Sequence, residues 1–479
     1  MKFFIFCIIL FSINLSSEEK IVKSKLPFLI DESKKIDEEE LKSKKENSFI
    51  TGLPSVSSDP ITGVWYGGTG YFIENGKRSN PFFEYAPYQY RVTADLYQSS
   101  TNAKYYGAGI DLPFFKNSPY RISLYGFYDK NLRTQYFGVG EETLKPLTYY
   151  PRNDDSQPLM NNADFSEREE AMSYRRKSRR ANEAPIVTDR FYNQYKAEQS
   201  AITTTVDRIF WGKFRFALGI DIFKTVIKTY DGRWVKSKDP FYGETAFPAI
   251  NVDIPTPNSV TKLTEDNDAK KITGVRGGYT NFLKIGLAYD TRDFEPNPRK
   301  GVFAELNYYK VVRVFGSDYE YQRVFSQVKT FNLLFPKTFQ ELIFASRFAL
   351  TRVTGEVPFY QYRYLWSLDG PFYALGGDDT TKGYKQDRFV GNVMGFANLE
   401  FRWRFANAII GEDTFAFQLV PGFALGRVWD RIDHVNLQGY KYSYIGGLRI
   451  IWNQSTIISM DYATSREDKQ FFLDLKHNF

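Results

Sequence analysis

KFRFALGIDI, residues 213–222, reads with a period of two. Phe214, Phe216, Leu218, Ile220 and Ile222 form one face, and Lys213, Arg215, Ala217, Gly219 and Asp221 form the other. The pattern recurs along the chain. Leu283, Ile285, Leu287 and Tyr289 alternate with Lys284, Gly286, Ala288 and Asp290, and Leu399, Phe401, Trp403 and Phe405 alternate with Asn398, Glu400, Arg402 and Arg404. Ile458, Met460 and Tyr462 alternate with Ser459 and Asp461. A soluble sandwich also alternates, but it rarely sets large aromatics against repeated full charges. A transmembrane barrel does so, because its outer face meets lipid and its inner face meets water or a polar network.

Working outward, segments bounded by turn residues give sixteen strands, beginning near residues 64, 86, 103, 120, 133, 188, 213, 281, 301, 319, 339, 392, 412, 438, 455 and 470. The expected fold is all-β, a 16-stranded antiparallel transmembrane barrel with a loop inserted into its lumen. An even count places both chain ends in the periplasm. Connections alternate in length as this topology requires: SSTN (99–102), FWGK (210–213), FPKT (335–338) and WNQS (452–455) are short, whereas 140–187, 231–280 and 354–391 are long.

Composition agrees. The 479 residues include 43 Phe, 34 Tyr and 7 Trp, too many aromatics for a disordered or coiled-coil chain. Mean hydropathy is −0.43 and no apolar run reaches the length of a spanning helix. The 63 Lys and Arg exceed the 56 Asp and Glu by a margin spread along the chain, which gives no footprint for nucleic acid.

Met1-Lys2, the apolar FFIFCIILFSI and the small residues that follow read as a signal peptide over residues 1–17. The one cysteine, Cys7, lies inside it, so stability in an oxidising compartment must come without disulfides. Residues 18–59, rich in Lys, Glu and Ser, are expected to be a charged, flexible periplasmic leader, and residues 60–479 the barrel. The last strand, FFLDLKHNF, alternates Phe471, Leu473, Leu475, His477 and Phe479 on one lipid-side face. Phe479 is the expected C-terminal signal read by the outer-membrane assembly machinery, of which the chain would be a client, so the expected location is the bacterial outer membrane.

Two segments carry more specific information. GLAYDTRDFEPNPRKGVFAEL (286–306) alternates Asp290, Arg292 and Asp293 in sign at a strand end, and Pro296 and Pro298 stiffen the turn that follows. LGGDDTTKGYKQDRF (375–389) lies in a long loop before the strand NLEFRWRF (398–405). Together they resemble the BamA-like outer-membrane assembly and translocation superfamily, also called the bacterial surface antigen family, over about residues 60–479. The resemblance implies that the glycine-rich loop folds into the lumen, its Arg-Gly-aromatic tip held by an acidic residue of a neighbouring strand. Here the motif is Gly376, Gly377, Lys382, Gly383, Tyr384 and Arg388, with lysine at the usual arginine. The position implied for the acid, in PGFALGRVW (421–429), is Ala424. Lysine cannot make the bidentate arginine pairing. The expected lumen partners are therefore Asp290, Arg292, Asp293, Glu400 and Arg402, with Glu400 or Asp290 holding the loop, or Arg388 and Arg402 serving as its cationic anchors.

Catalysis has little to draw on. The histidines are His434, near Asp430 and Asp433, and His477; no G-x-S-x-G segment occurs, no His/Cys cluster suits a metal, and Asp378-Asp379 is too sparse for calcium. No catalytic residue, cofactor or metal is expected. SEREEAMSYRRKSRR (166–180) reads as a solvated extracellular face. The resemblance implies a barrel-only member, without periplasmic client-binding domains, that assists membrane insertion or translocation of proteins by strand pairing at a weak seam. Its expected partners are outer-membrane lipid, nascent outer-membrane proteins and secreted chains. The alternative is a non-catalytic surface protein or passive pore acting through its extracellular loops.

Overall fold

The computed structural model describes residues 26–36, 38–59, 63–161, 164–176, 187–231, 260–336, 338–339, 341–411, 413–477 and 479. The signal-peptide reading of residues 1–17 lies outside them. Sixteen strands form one antiparallel sheet in chain order, curled into a nearly closed barrel. They are β1 (Ser48–Asp59), β2 (Gly63–Glu74), β3 (Tyr90–Ser99), β4 (Lys104–Leu112), β5 (Tyr120–Gln135), β6 (Gln194–Phe210), β7 (Phe214–Thr229) and β8 (Gly277–Asp290). They continue with β9 (Gly301–Val311), β10 (Tyr321–Leu334), β11 (Glu341–Gly355), β12 (Val393–Ile410), β13 (Asp413–Trp429), β14 (Lys441–Trp452), β15 (Thr456–Thr464) and β16 (Lys469–Asp474).

The alternation read from KFRFALGIDI is realised in β7. Phe214, Leu218, Ile220 and Ile222 are exposed on the outer face, while Arg215, Ala217, Asp221 and Phe223 are buried inside. The long connections 136–193, 230–276 and 356–392 all leave from one end, which is the extracellular end by their length.

Two strands differ from expectation and cancel in the count. The strand expected near residue 133 is the upper part of β5, which runs unbroken to Gln135. In its place stands β1, inside the stretch read as leader, registered residue by residue against β2 from Ser48↔Glu74 to Asp59↔Gly63. Its sequence, SFITGLPSVSSD, has small residues and a proline where a central strand would have branched apolar ones. Pro54 is tolerated because β1 is an edge strand whose outer N–H positions need no partner. Among the other starts the largest offset is residue 188 against Gln194.

Residues 26–47 cross the periplasmic mouth instead of trailing from it. Ile30 makes a parallel bridge with Gly212, and Ile36 N donates to Glu84 O at 2.9 Å. Lys34 reaches inward to Asp290 at 2.8 Å, Glu40 accepts from Arg404 at 2.9 Å, and Lys45 lies 3.4 Å from Asp413. Phe28 packs with Phe82 and Phe114 in a cluster of three tilted rings. The charges that made this segment look solvated meet opposite charges in the periplasmic halves of the barrel strands. Lys44 differs in kind: its Nζ donates to Phe83 O at 2.7 Å and Ala86 O at 2.6 Å and sits over the Phe83 ring. Burial pushes its ammonium down to about 7.

Candidate functional site: the lumenal loop and the seam

The loop of residues 356–392 joins β11 to β12 and contacts inward-facing side chains of the barrel. Its hairpin, Tyr364–Ser367 paired with Gly370–Tyr373, packs Tyr364 and Trp366 among Phe223, Phe282, Phe303, Tyr309 and Tyr321. This part of the interior is aromatic as well as charged. Burial of the hairpin backbone is matched by donors: Tyr309 Oη donates to Tyr364 O at 3.0 Å, and Asn307 Nδ2 to Trp366 O at 3.1 Å. At the hairpin turn, Asp369 accepts from both guanidinium Nη atoms of Arg292 (3.0 and 2.9 Å) and from Lys329 Nζ at 2.8 Å.

The glycine-rich segment then runs to the last hairpin of the barrel. Gly383 has φ +90°, and a Cβ there would meet the Thr464 carbonyl carbon at 3.0 Å and Ser465 N at 3.1 Å. Glycine is required for both the left-handed backbone and the close approach. The neighbouring side chains follow that approach. Lys382 Nζ lies 2.5 Å from Asp461 Oδ2 on β15, and Arg449 of β14 binds the same carboxylate at 2.5 and 3.1 Å. Lys385 Nζ pairs with Asp468 at 3.3 Å, and Arg388 binds Glu467 at 2.6 and 3.0 Å. Arg388 also donates to Thr143 O and Lys145 O of the 136–193 connection. Tyr384 is buried, its Oη donating to Tyr442 O at 3.2 Å. Ser465 Oγ donates to Gly383 O at 2.7 Å, and Lys476 Nζ reaches Asp379 at 2.8 Å.

The partner of Lys382 is thus neither Glu400 nor Asp290. Glu400 is engaged by Arg402 on its own strand at 3.0 Å, and Asp290 is held by Lys34 and Arg292. Asp293 accepts from the backbone N–H groups of Phe294, Arg299 and Lys300, closing the turn after β8. Arg388 and Arg292 do bind across to or from the loop; Arg402 does not, donating instead to Phe479 O at 3.0 Å. Asp461 was present in the alternation as an inward carboxylate. Local periodicity could not tell which lumenal acid the loop would reach.

The sheet ends at β1 on one side and β16 on the other, and among the described residues these two strands share no register. β16 has 6 residues against the 12 of β1. The contact across the gap is Thr456 Oγ1 to Thr51 Oγ1, 3.2 Å, from β15 directly to β1. Residues 475–477 and 479 do not extend β16 as the alternation of FFLDLKHNF predicts. Leu475 and His477 are buried, His477 Nε2 bonds Asn297 Oδ1 at 2.9 Å, and Phe479 packs beside Phe331 and Ile343 under Arg347 and Arg402. The chain turns inward because Asn297 offers His477, and these cations and the lumenal apolar cluster offer Phe479, partners that lipid would not. His434 lies in the 430–440 connection, where Asp433 pairs with Arg431 at 2.9 Å and Asp430 accepts from Glu141 N.

Residues 266–471 match the Omp85 superfamily domain, and residues 26–89 match a domain of unknown function, DUF5982. No curated protein matches the chain. Among solved structures, it is similar to BamA from Haemophilus ducreyi lacking POTRA domains 1–3, at 13% identity and a TM-score of 0.43, covering 90% of this chain and 69% of that one. It is also similar to CdiB from Escherichia coli, at 9% identity and a TM-score of 0.46, covering 90% of this chain and 60% of that one. For CdiB from Acinetobacter baumannii the identity is 10%, the TM-score 0.40, and the coverage 89% and 58%.

Proposed function

Since the chain carries an Omp85 superfamily domain within a barrel of the bacterial outer membrane, we propose that it assists membrane insertion or translocation of proteins by pairing a client strand with its own unpaired edge. The observation that carries this reading is the outer edge of β1. It presents backbone donors and acceptors over 12 residues that β16, short and turned inward at its end, does not take up. An extended client segment can satisfy those groups by strand addition, which draws affinity from main-chain hydrogen bonds and tolerates varied side chains. Residues 26–47 across the periplasmic mouth and the 356–392 loop against the interior weigh against a passive pore, which needs an open lumen.

The test joins β1 to β15 in cells. Thr51→Cys and Thr456→Cys together, placed where the two hydroxyls lie 3.2 Å apart, tie the seam shut in an oxidising compartment. In a strain lacking the chain, the wild type and each single variant should restore outer-membrane proteins depleted by the deletion; the double variant should not, although it accumulates as a folded, heat-modifiable barrel. An outer-membrane proteome unchanged by the deletion refutes the reading.

A further inference from the structure

The lipid-facing surface is electrically lopsided. On β4 to β11, seven cations point outward in the extracellular half: Lys104, Lys130, Lys196, Lys224, Lys228, Lys310 and Arg352. Their orientation follows from neighbours of the same parity that face lipid, such as Tyr106, Ile222, Leu306 and Phe348. Lys224, Lys228, Lys310 and Arg352 are exposed. Two like-charged pairs stand directly opposite one another across strands, Lys104↔Lys130 and Lys196↔Lys228. Such cross-strand pairs are destabilising unless an anion lies between or above them. One outward carboxylate lies among them: Glu198, directly opposite Lys130 in the β5–β6 register, which also accepts Tyr128 Oη at 3.0 Å, while Lys196 Nζ lies over the Tyr230 ring. Around the rest of the barrel, β12 to β16 and β1 to β3, the described outward cations are Arg427 and Lys469, and Arg427 is engaged by Glu141 and the Gln438 carbonyl.

A cation held on the lipid face at bilayer depth is costly, and that cost falls toward the interface, where long side chains lift their charge to the headgroup layer. Seven cations gathered on one arc of one rim, two pairs of them facing like charge, form a surface matched to phosphate. We propose that the extracellular rim of β4 to β11 binds the phosphate groups of outer-leaflet glycolipid. The seam lies on the opposite, sparsely charged arc. The barrel therefore holds its lipid on one side and leaves lipid free to rearrange beside β1 and β16. This inference rests on the barrel and its orientation and does not depend on the proposed strand-pairing activity.

The test is titration of the detergent-solubilised full chain with a diphosphoryl glycolipid, read by native mass spectrometry. Replacing Lys224, Lys228, Lys310 and Arg352 together by Gln should weaken binding by roughly a hundredfold, since each cation near an anionic surface contributes several-fold. Arg208→Gln, at the periplasmic end of β6, should leave binding unchanged, and the dephosphorylated glycolipid should bind wild type at least as weakly as the phosphorylated form binds the four-site variant, which keeps Lys104, Lys130 and Lys196. Should the four-site variant fail to show a heat-modifiable barrel, Lys310→Gln with Arg352→Gln supplies the comparison, with at least a several-fold loss expected. Equal binding of the two glycolipids by wild type, or equal binding by wild type and folded variants, overturns the proposal.

Discussion

Asp461 serves two cations from opposite directions, Lys382 from the loop and Arg449 from the adjacent strand. Removing the carboxylate strands both buried charges; removing Lys382 leaves the Asp461–Arg449 pair intact. We expect Asp461→Asn to lower barrel stability by about 3–5 kcal/mol, the cost of breaking a buried pair, and Lys382→Met to cost distinctly less, both read from the temperature at which heat-modifiable migration is lost. The double variant should fall short of the summed losses. Lys382→Ala and Glu400→Ala should add, because Glu400 answers to Arg402. The sequence carried the cationic half of this site, Lys382 and Arg388 within a glycine-rich segment. It also carried the parity that turns Asp461 inward. What it could not carry is which acid lies within reach of a long loop, because that depends on how residues 356–392 pack against the barrel interior.

At the scale of elements, the stretch that departs most from its composition is residues 26–59. Its Lys/Glu/Ser composition is that of a solvated tether, and nothing local reveals that Lys34, Glu40 and Lys45 have counter-charges at Asp290, Arg404 and Asp413. β1 was hidden by the same contrast, since an edge strand with Pro54 and several serines lacks the branched residues that mark central strands. If this segment closes the periplasmic mouth, its removal should raise ion conductance of the chain in planar bilayers. Conductance of the full chain should also depend on pH through Lys44. Docking lowers the Lys44 ammonium from 10.5 to about 7, so between those values the released segment binds more protons than the docked one. Raising pH across that window should therefore favour docking and reduce conductance. Below about 7 this contribution should be flat, and Lys44→Met should remove it.

For the whole molecule, the strand number agrees with the alternation only because two differences cancel: β5 runs unbroken past residue 133, and Ser48–Asp59 adds an edge strand. Parity was legible for a better reason: lipid on one side and a packed interior on the other constrain every second residue along each strand. The inward turn of residues 475–477 and 479 was not, because alternation continues through His477 and Phe479 while their partners, Asn297 and the Phe331 cluster, come from distant turns and strands. Sheet edges should be the first places to open. Hydrogen exchange followed by mass spectrometry should find peptides of β1 and β16 exchanging ahead of those from β12 and β13, whose neighbours pair on both sides. Equal protection around the barrel would mean that the two edges zip together in solution.

The contacts of the 356–392 loop are distributed unevenly about this seam. Lys382, Lys385 and Arg388 fasten the β15–β16 hairpin from within. The β1–β2 hairpin faces it with Gly52, Gly67 and Gly68, where strands approach too closely for side chains to brace them. Mechanically these are two leaves of unequal stiffness, one bolted to the frame and the other compliant. A load on the seam would be taken up as bending of the first hairpin while the last keeps its position, so the direction of opening is set before any client arrives.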